Sequence, residues 1–287
     1  MNSLKNAAEL LRMIKFEHTV FALPFAYLGA FAAAQGPPPW ERVLWITLAM
    51  LGARSAAMCF NRLVDQKFDA LNPRTGGRSL PAGRLSRRYV ILFTLFSLTL
   101  MLYSASRLNR LCAILAPMAV FVIFFYSYTK RFTAFSHLFL GLSLAIAPIG
   151  GWIGVTGSLA PVALLLALAV GLWVSGFDII YACQDIDFDS KNHLFSLPQA
   201  IGVKSALVVS TLLHLFMVVA LIAVYLSLHL GKLSLAGIVL TAVLIAYEHW
   251  IVRPSDLSRV NTAFFTINGF VSILLFLAIG LDLSLAR

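Results

Sequence analysis

Almost the whole chain is divided into apolar runs of about 20 residues, the length of helix that crosses a ~30 Å hydrocarbon layer. Inside that layer every backbone N–H and C=O must be satisfied within the protein, and uninterrupted apolar runs of this length do so as α-helices. The runs fall at roughly 16–35, 43–60, 89–106, 111–128, 135–156, 160–182, 206–228, 234–251 and 262–283. Chain-breaking residues separate them: Gly36-Pro37-Pro38-Pro39, Arg107–Arg110, Gly157 and Arg253-Pro254. Pro24, Pro117 and Pro148 lie inside runs, which membrane helices tolerate better than soluble ones. The expected fold is all-α, with nine transmembrane helices in a single polytopic membrane domain over residues 1–287.

Composition agrees. Of 287 residues, 60% are hydrophobic and 12% charged, about half the charge a soluble domain carries. Residues 1–17 hold Lys5, Arg12 and Lys15 but no short apolar core with a cleavage site, so no cleavable signal peptide is expected. Cys59, Cys112 and Cys183 have no paired spacing and read as small buried hydrophobes, neither disulfides nor zinc ligands. The net charge of +10 reads as membrane orientation, with no nucleic-acid partner. Sixteen lysines and arginines fall on the side of the N-terminus and five on the other, with Arg54 inside a span. The positive-inside rule then places the N-terminus in the cytoplasm and the C-terminus outside, in the inner membrane.

Acidic residues are scarce, and five of the twelve form two short clusters, Asp65 and Asp69, then Asp185, Asp187 and Asp189. Both lie at the cytoplasmic ends of spans. Asn61, Asp65 and Asp69 are spaced by four, as are Asp185 and Asp189, so each set projects from one helix face. Carboxylates at that spacing repel, so each pair needs a positive partner between its members. Solvated helix ends are the plain alternative. Oxygen ligands without His or Cys suit a hard ion, magnesium before calcium, bridging carboxylates to phosphate. Lys67, Arg74, Arg78, Lys130, Arg131 and Lys191 stand close by in sequence to neutralise a diphosphate.

These residues resemble the signatures of the UbiA-type intramembrane aromatic prenyltransferases. NRLVDQKFDALNPRTGGRSLPAG, residues 61–83, resembles the family's first Asp-rich run and basic loop. YACQDIDFD, Tyr181 to Asp189, is similar to the second, and Tyr126 to Lys130 to a Tyr-x-x-x-Lys element. The likeness covers nearly the whole chain. One departure is Arg62 where the family has Asp; a neighbour of Asn61 faces ~100° away from it, so the change leaves the metal set in place and offers a phosphate contact. The resemblance implies nine helices around a central cavity with cytoplasmic cap loops. It implies Mg²⁺ held by Asn61, Asp65, Asp69, Asp185 and Asp189 on a polyprenyl diphosphate, with Arg74, Arg78 and Lys130 neutralising it. Asp187 is the least favoured ligand, being ~200° round a helix from Asp185.

Arg54 stands seven residues before Asn61, on the same face about two turns (~10 Å) deeper. A charge at such depth is a functional candidate by default, here a fork for the carboxylate of an aromatic acid, or else the counter-ion of Asp178. Asp178, seven residues before Asp185, is a candidate to orient the acceptor hydroxyl or take the ring proton. Glu17, His18, Glu248 and His249 read as interfacial or helix-pair contacts. A secondary transporter is disfavoured because the acids lie at helix ends rather than at the midplane of inverted repeats. A phospho-alcohol transferase is disfavoured because its Asp-Gly-x-x-Ala-Arg run is absent. The pattern resembles 4-hydroxybenzoate polyprenyltransferases of ubiquinone synthesis, and the Asn-Arg variant also resembles relatives acting on 1,4-dihydroxy-6-naphthoate. Prenyl length and oligomeric state are not encoded in any recognisable feature.

Overall fold

The computed structural model describes residues 2–15 and 19–285. Glu17 and His18 lie outside the described residues. Eight helices among those described are long and apolar enough to span a membrane, and a shorter apolar helix covers Ala22–Ala34. Among the described residues each of the nine expected runs is therefore carried by a helix, the first of them shorter than the rest.

In chain order the helices are α1 (Asn2–Met13), α2 (Thr19–Ala34), α3 (Trp40–Leu71), α4 (Arg87–Leu108), α5 (Arg110–Thr129) and α6 (Ser136–Thr156). They continue as α7 (Pro161–Ala182), α8 (Ile186–Lys191), α9 (Leu197–Ser227), α10 (Lys232–Ile251) and α11 (Asn268–Leu285), the last entered through a π-helical turn, Thr262–Ile267. Successive spans alternate in direction, so their connections gather at two ends. At one end they are short: residues 35–39, Asn109, 157–160 and 228–231. Asn109 caps α5 by accepting from the Cys112 N–H at 2.9 Å and donates to the Ile153 carbonyl at 2.7 Å, tying that end to α6. At the other end, the cap end, lie the longer segments 72–86, 130–135, 183–196 and 252–261.

Two boundaries differ from the sequence reading, each for a local reason. The second span does not stop near residue 60; α3 runs 32 residues to Leu71, ~48 Å at 1.5 Å per residue, and so carries its acidic cluster beyond the hydrocarbon on an unbroken helix. The sixth span stops at Ala182, where the apolar run ends, and the backbone turns through 183–185 before α8. Asp178 and Asp185 thus do not share a helix. The seventh span begins early, at Leu197, because Gly202 (φ 79, ψ 158) breaks the helix without ending it, a backbone state that glycine adopts without strain.

Lipid supplies no hydrophobic drive for helices to associate, so contact depends on close backbone approach through small residues. The α2–α6 crossing is built this way: Gly29 faces the Pro148 backbone, and a Cβ on Gly151 would collide with the Ala26 carbonyl. Gly151→Leu is expected to wedge the pair apart at a cost of about 1–3 kcal/mol, seen as a lower melting temperature and a broadened elution peak in detergent. Unchanged melting would show that the crossing tolerates expansion.

The most enclosed span, α7, packs between α6 and α9. α1 is not a span. Its Leu10, Met13 and Ile14 pack on Cys59, Leu63, Leu80, Leu85 and Val90. Glu9 accepts from Ser79 Oγ at 2.8 Å and from Arg84 Nε at 2.6 Å; the Arg84 bond holds its carboxyl below the usual carboxylate range. α1 is thereby a brace for the 72–86 segment of the cap.

Candidate active site

Beneath the cap end the bundle encloses a cavity of about 450 Å³, lined by residues of both acidic clusters together with Arg54, Asp178 and a wall of aromatic rings. The two clusters, more than a hundred residues apart in sequence, meet because α3 and α7 both end there. The 72–86 segment joins them directly: Asn72 Nδ2 lies 3.5 Å from Asp185 Oδ1, and Arg74 donates to Asp185 through Nε at 3.2 Å and Nη2 at 2.5 Å. The Arg74 Nη1 reaches the Tyr181 hydroxyl at 2.7 Å. Burial of Arg74 is the largest influence and works against its charge, but the bonds and charges of Asp185 and Tyr181 together outweigh it and hold the guanidinium above its ordinary range.

Both carboxylates at the cap end of α3 have a cation against them. Asp65, 3% exposed, takes Lys130 Nζ at 3.0 Å and Arg131 Nη2 at 3.1 Å, and Asn61 Nδ2 at 3.2 Å. Asp69, 6% exposed, takes Arg78 Nη1 at 2.6 Å on one oxygen. Its other oxygen, Oδ2, is buried with no hydrogen-bond partner; the Arg62 guanidinium stands 3.8 Å away. The positive partners that the i,i+4 spacing required are therefore side chains of the protein itself. Arg62, although its Cα faces away from Asn61, folds its long side chain back to Asn61 Oδ1 at 3.4 Å and lines the cavity. Arg131 reaches in from behind, stacked on Phe68 and Tyr128 with its guanidinium 5.3 and 5.1 Å from the ring centres. Asp189, on α8, lines the cavity opposite; burial raises its carboxyl above the usual range, and the Ser196 hydroxyl nearby opposes that shift. Among the described residues no three His, Cys, Asp or Glu side chains converge as a closed metal cage.

Deeper in, Arg54 lines the cavity from α3 and Tyr126 from α5, the latter within electrostatic reach of Asp65, Asp178 and Arg62. Asp178 has a partner the sequence reading did not name: His137 Nδ1, 2.7 Å from Asp178 Oδ2. Phe25, Trp173, Phe177 and Phe264 form a chain of rings with centroids 4.9, 4.9 and 5.2 Å apart. Asn268, delivered by the π-helical turn, accepts from Trp173 Nε1 at 2.7 Å and donates to Glu248 Oε1 at 3.3 Å. Glu248 and His249 are helix-pair contacts, His249 reaching His214 on α9 at 2.8 Å.

Of the residues singled out in the sequence, Asn61, Arg62, Asp65, Asp69, Arg74, Arg78, Tyr126, Lys130, Asp178, Tyr181, Asp185, Asp189 and Arg54 all line this one space. Lys67 and Lys191 do not; both are exposed on the outside of the cap, as is Asp187. His137, Trp173 and Asn268 went unremarked. His137 is the only histidine in its apolar run, a signal open to sequence reading.

Comparison with known proteins places the chain. Among similar proteins are the 4-hydroxybenzoate octaprenyltransferases of Alkalilimnicola ehrlichii, 31% identical over 90% of this chain and 87% of that one, and of Marinobacter nauticus, 29% identical over 98% and 95%. Among solved structures, the apo UbiA homolog of Aeropyrum pernix K1 superposes with a TM-score of 0.85 at 34% identity, covering 93% of this chain and 98% of its own. A UbiA homolog from Archaeoglobus fulgidus bound to DMAPP and Mg²⁺ shares the fold, with a TM-score of 0.76 at 21% identity over 97% and 100% of the two chains. With residues 22–274 matching the UbiA prenyltransferase family profile end to end across the bundle, this chain belongs to that family.

Proposed function

We propose that this protein transfers a polyprenyl group from polyprenyl diphosphate to the ring of 4-hydroxybenzoate, in a magnesium-dependent step of ubiquinone biosynthesis. The observation that carries the reading is the stacking, in one cavity, of a cation-and-carboxylate end above an arginine-bearing aromatic chamber. The names of its relatives from Alkalilimnicola and Marinobacter support it. The cap end is assigned to the cytoplasm by the excess of lysine and arginine there, which puts the diphosphate site where a soluble diphosphate leaving group is released.

Magnesium fits the residues present. Asp69 Oδ2 is a buried carboxylate oxygen that accepts no hydrogen bond, with Arg62 3.8 Å away, and burying such a group without a hydrogen bond costs free energy that a bound cation would recover. Asn61, Asp65, Asp69, Asp185 and Asp189 would hold the ions. When bound, magnesium supplies Lewis acidity toward the leaving diphosphate.

The protein's own groups do the rest. Arg62, Arg74, Arg78 and Lys130 neutralise carboxylates and line the cavity, with Arg131 behind them on Asp65; with the acids engaged by magnesium these lining cations would be free to meet the diphosphate oxygens. The allylic C–O bond breaks, its electrons leaving with diphosphate, and the ring carbon beside the phenolic hydroxyl forms the new C–C bond. Trp173, Phe177 and Phe264 present π-faces that favour positive charge on the allylic fragment and exclude water that would quench it. Arg54 holds the acceptor carboxylate. Asp178 orients the acceptor hydroxyl or receives the displaced ring proton.

Purified protein in nanodiscs, given labelled polyprenyl diphosphate, 4-hydroxybenzoate and Mg²⁺, is expected to release one diphosphate per prenylated acid. Chelation is expected to stop the reaction and added Mg²⁺ to restore it. A parallel arm with 1,4-dihydroxy-6-naphthoate decides between acceptors. Failure to release diphosphate with either acid overturns the proposal.

A further inference from the structure

Phe195 and Ser196 line the cavity, and the segment Phe195–Leu197 bonds to residues at both of its ends. The Phe195 N–H donates to the Lys130 carbonyl at 2.7 Å, on the residue whose ammonium holds Asp65. Two residues on, the Leu197 N–H donates to Nε2 of His137 at 3.3 Å. A backbone N–H can only donate, so Nε2 must be the unprotonated nitrogen and the ring proton must sit on Nδ1. That proton points at Asp178, whose Oδ2 is 2.7 Å away. His137 itself is 4% exposed, and its own carbonyl accepts from Ser175 Oγ at 3.2 Å, so ring and backbone are both held. The strap has a hinge behind it: Gly202, at φ 79 and ψ 158, uncouples residues 197–201 from the rest of α9.

We propose that His137 is a positioning residue that ties Asp178 to the 195–197 strap, so that the acceptor-side carboxylate is set in place when the strap is seated against Lys130 at the diphosphate end. The consequence for the reaction is an order. A diphosphate that draws Lys130 and the strap inward also fixes Asp178 for the acceptor, and an acceptor arriving first meets an unset carboxylate. This rests on the prenyl-transfer reading for its catalytic meaning, while the mechanical link between His137 and the strap stands apart from it.

Two substitutions separate the two bonds. In His137→Asn the amide N–H₂ replaces the Nδ1 donor to Asp178, and nothing reaches Leu197. In His137→Gln the side-chain carbonyl replaces Nε2 as acceptor for Leu197, and nothing donates to Asp178. With Mg²⁺ and inorganic pyrophosphate as the probe, amide exchange at residues 195–197 is expected to speed up about tenfold in His137→Asn and to stay near wild type in His137→Gln. In the transfer assay the pattern reverses. His137→Gln is expected to lose ten- to a hundredfold in kcat with a raised acceptor KM and an unchanged diphosphate KM, the size of effect that misplacing a reacting group by about 1 Å produces. His137→Asn, which keeps the donor to Asp178 but detaches it from the strap, is expected to hold kcat at saturating diphosphate within about threefold of wild type and to bind the acceptor equally well with or without pyrophosphate, whereas the wild type binds it more tightly with pyrophosphate present. Equal exchange in the two variants, or equal loss of kcat in both, overturns the proposal. If the wild-type protein makes no prenylated product, the transfer reading falls alone, and the exchange comparison still decides the link.

Discussion

Asp69→Asn is expected to lower kcat for prenyl transfer by about three orders of magnitude while leaving the bundle folded. The amide has the shape of the carboxylate, so packing is kept, and the loss reports charge. Asp69 Oδ1 is held by Arg78, but Oδ2 is buried and accepts no hydrogen bond, which makes it the oxygen with the most to gain from a metal ion. Metal stabilisation of a leaving group is worth several kcal/mol, and about 4 kcal/mol is a thousandfold in rate. Asp187→Asn is the control: the same change on the exposed outer face of α8, expected to leave kcat within about twofold, as surface changes do. The measurement is initial rate at saturating Mg²⁺, with thermal melting alongside. Asp69→Asn retaining a tenth or more of wild-type kcat would remove Asp69 from the metal set.

The second large effect is expected at Arg54. Arg54→Lys keeps the charge but removes the planar fork that pairs both oxygens of a carboxylate. The acceptor KM is expected to rise about ten- to a hundredfold, corresponding to the 1.5–3 kcal/mol of a charged hydrogen bond. The diphosphate KM is expected to move by less than about twofold, because Arg54 lies about 16 Å below Asp65 and about 22 Å below Asp69 along α3. Equal rises in both values would reassign Arg54 to the structural framework of the cavity.

How far the site could be read without coordinates depended on whether its signals were periodic. Asn61, Asp65 and Asp69 recur every four residues, and α3 is continuous through all three, so periodicity alone placed them on one face. The same logic does not carry over to the second cluster. Asp178 and Asp185 are seven apart, but the helix ends at Ala182, where the apolar run stops, so the turn after it rather than a shared helix face brings both to the cavity. Lys67 and Lys191 sit beside ligand candidates in sequence yet project outward from the cap. Proximity along a helix does not specify direction around it. Arg62 shows the converse, a Cα that faces away and a side chain long enough to return.

Membership of a nine-run, all-helical membrane bundle, and the gathering of its acids at one end, followed from the residues alone, because a hydrocarbon solvent leaves an apolar segment no alternative to the helix and makes every charge conspicuous. The pairing of those charges did not. Which carboxylate Arg74 would hold, that Asp178 would meet His137, and that the 195–197 strap would join both ends of the cavity are contacts between groups 41 to 111 residues apart. They depend on how the helices rotate and cross, and that is set by the mutual fit of small-residue faces such as Gly29, Gly151 and Pro148, not by any single segment's pattern.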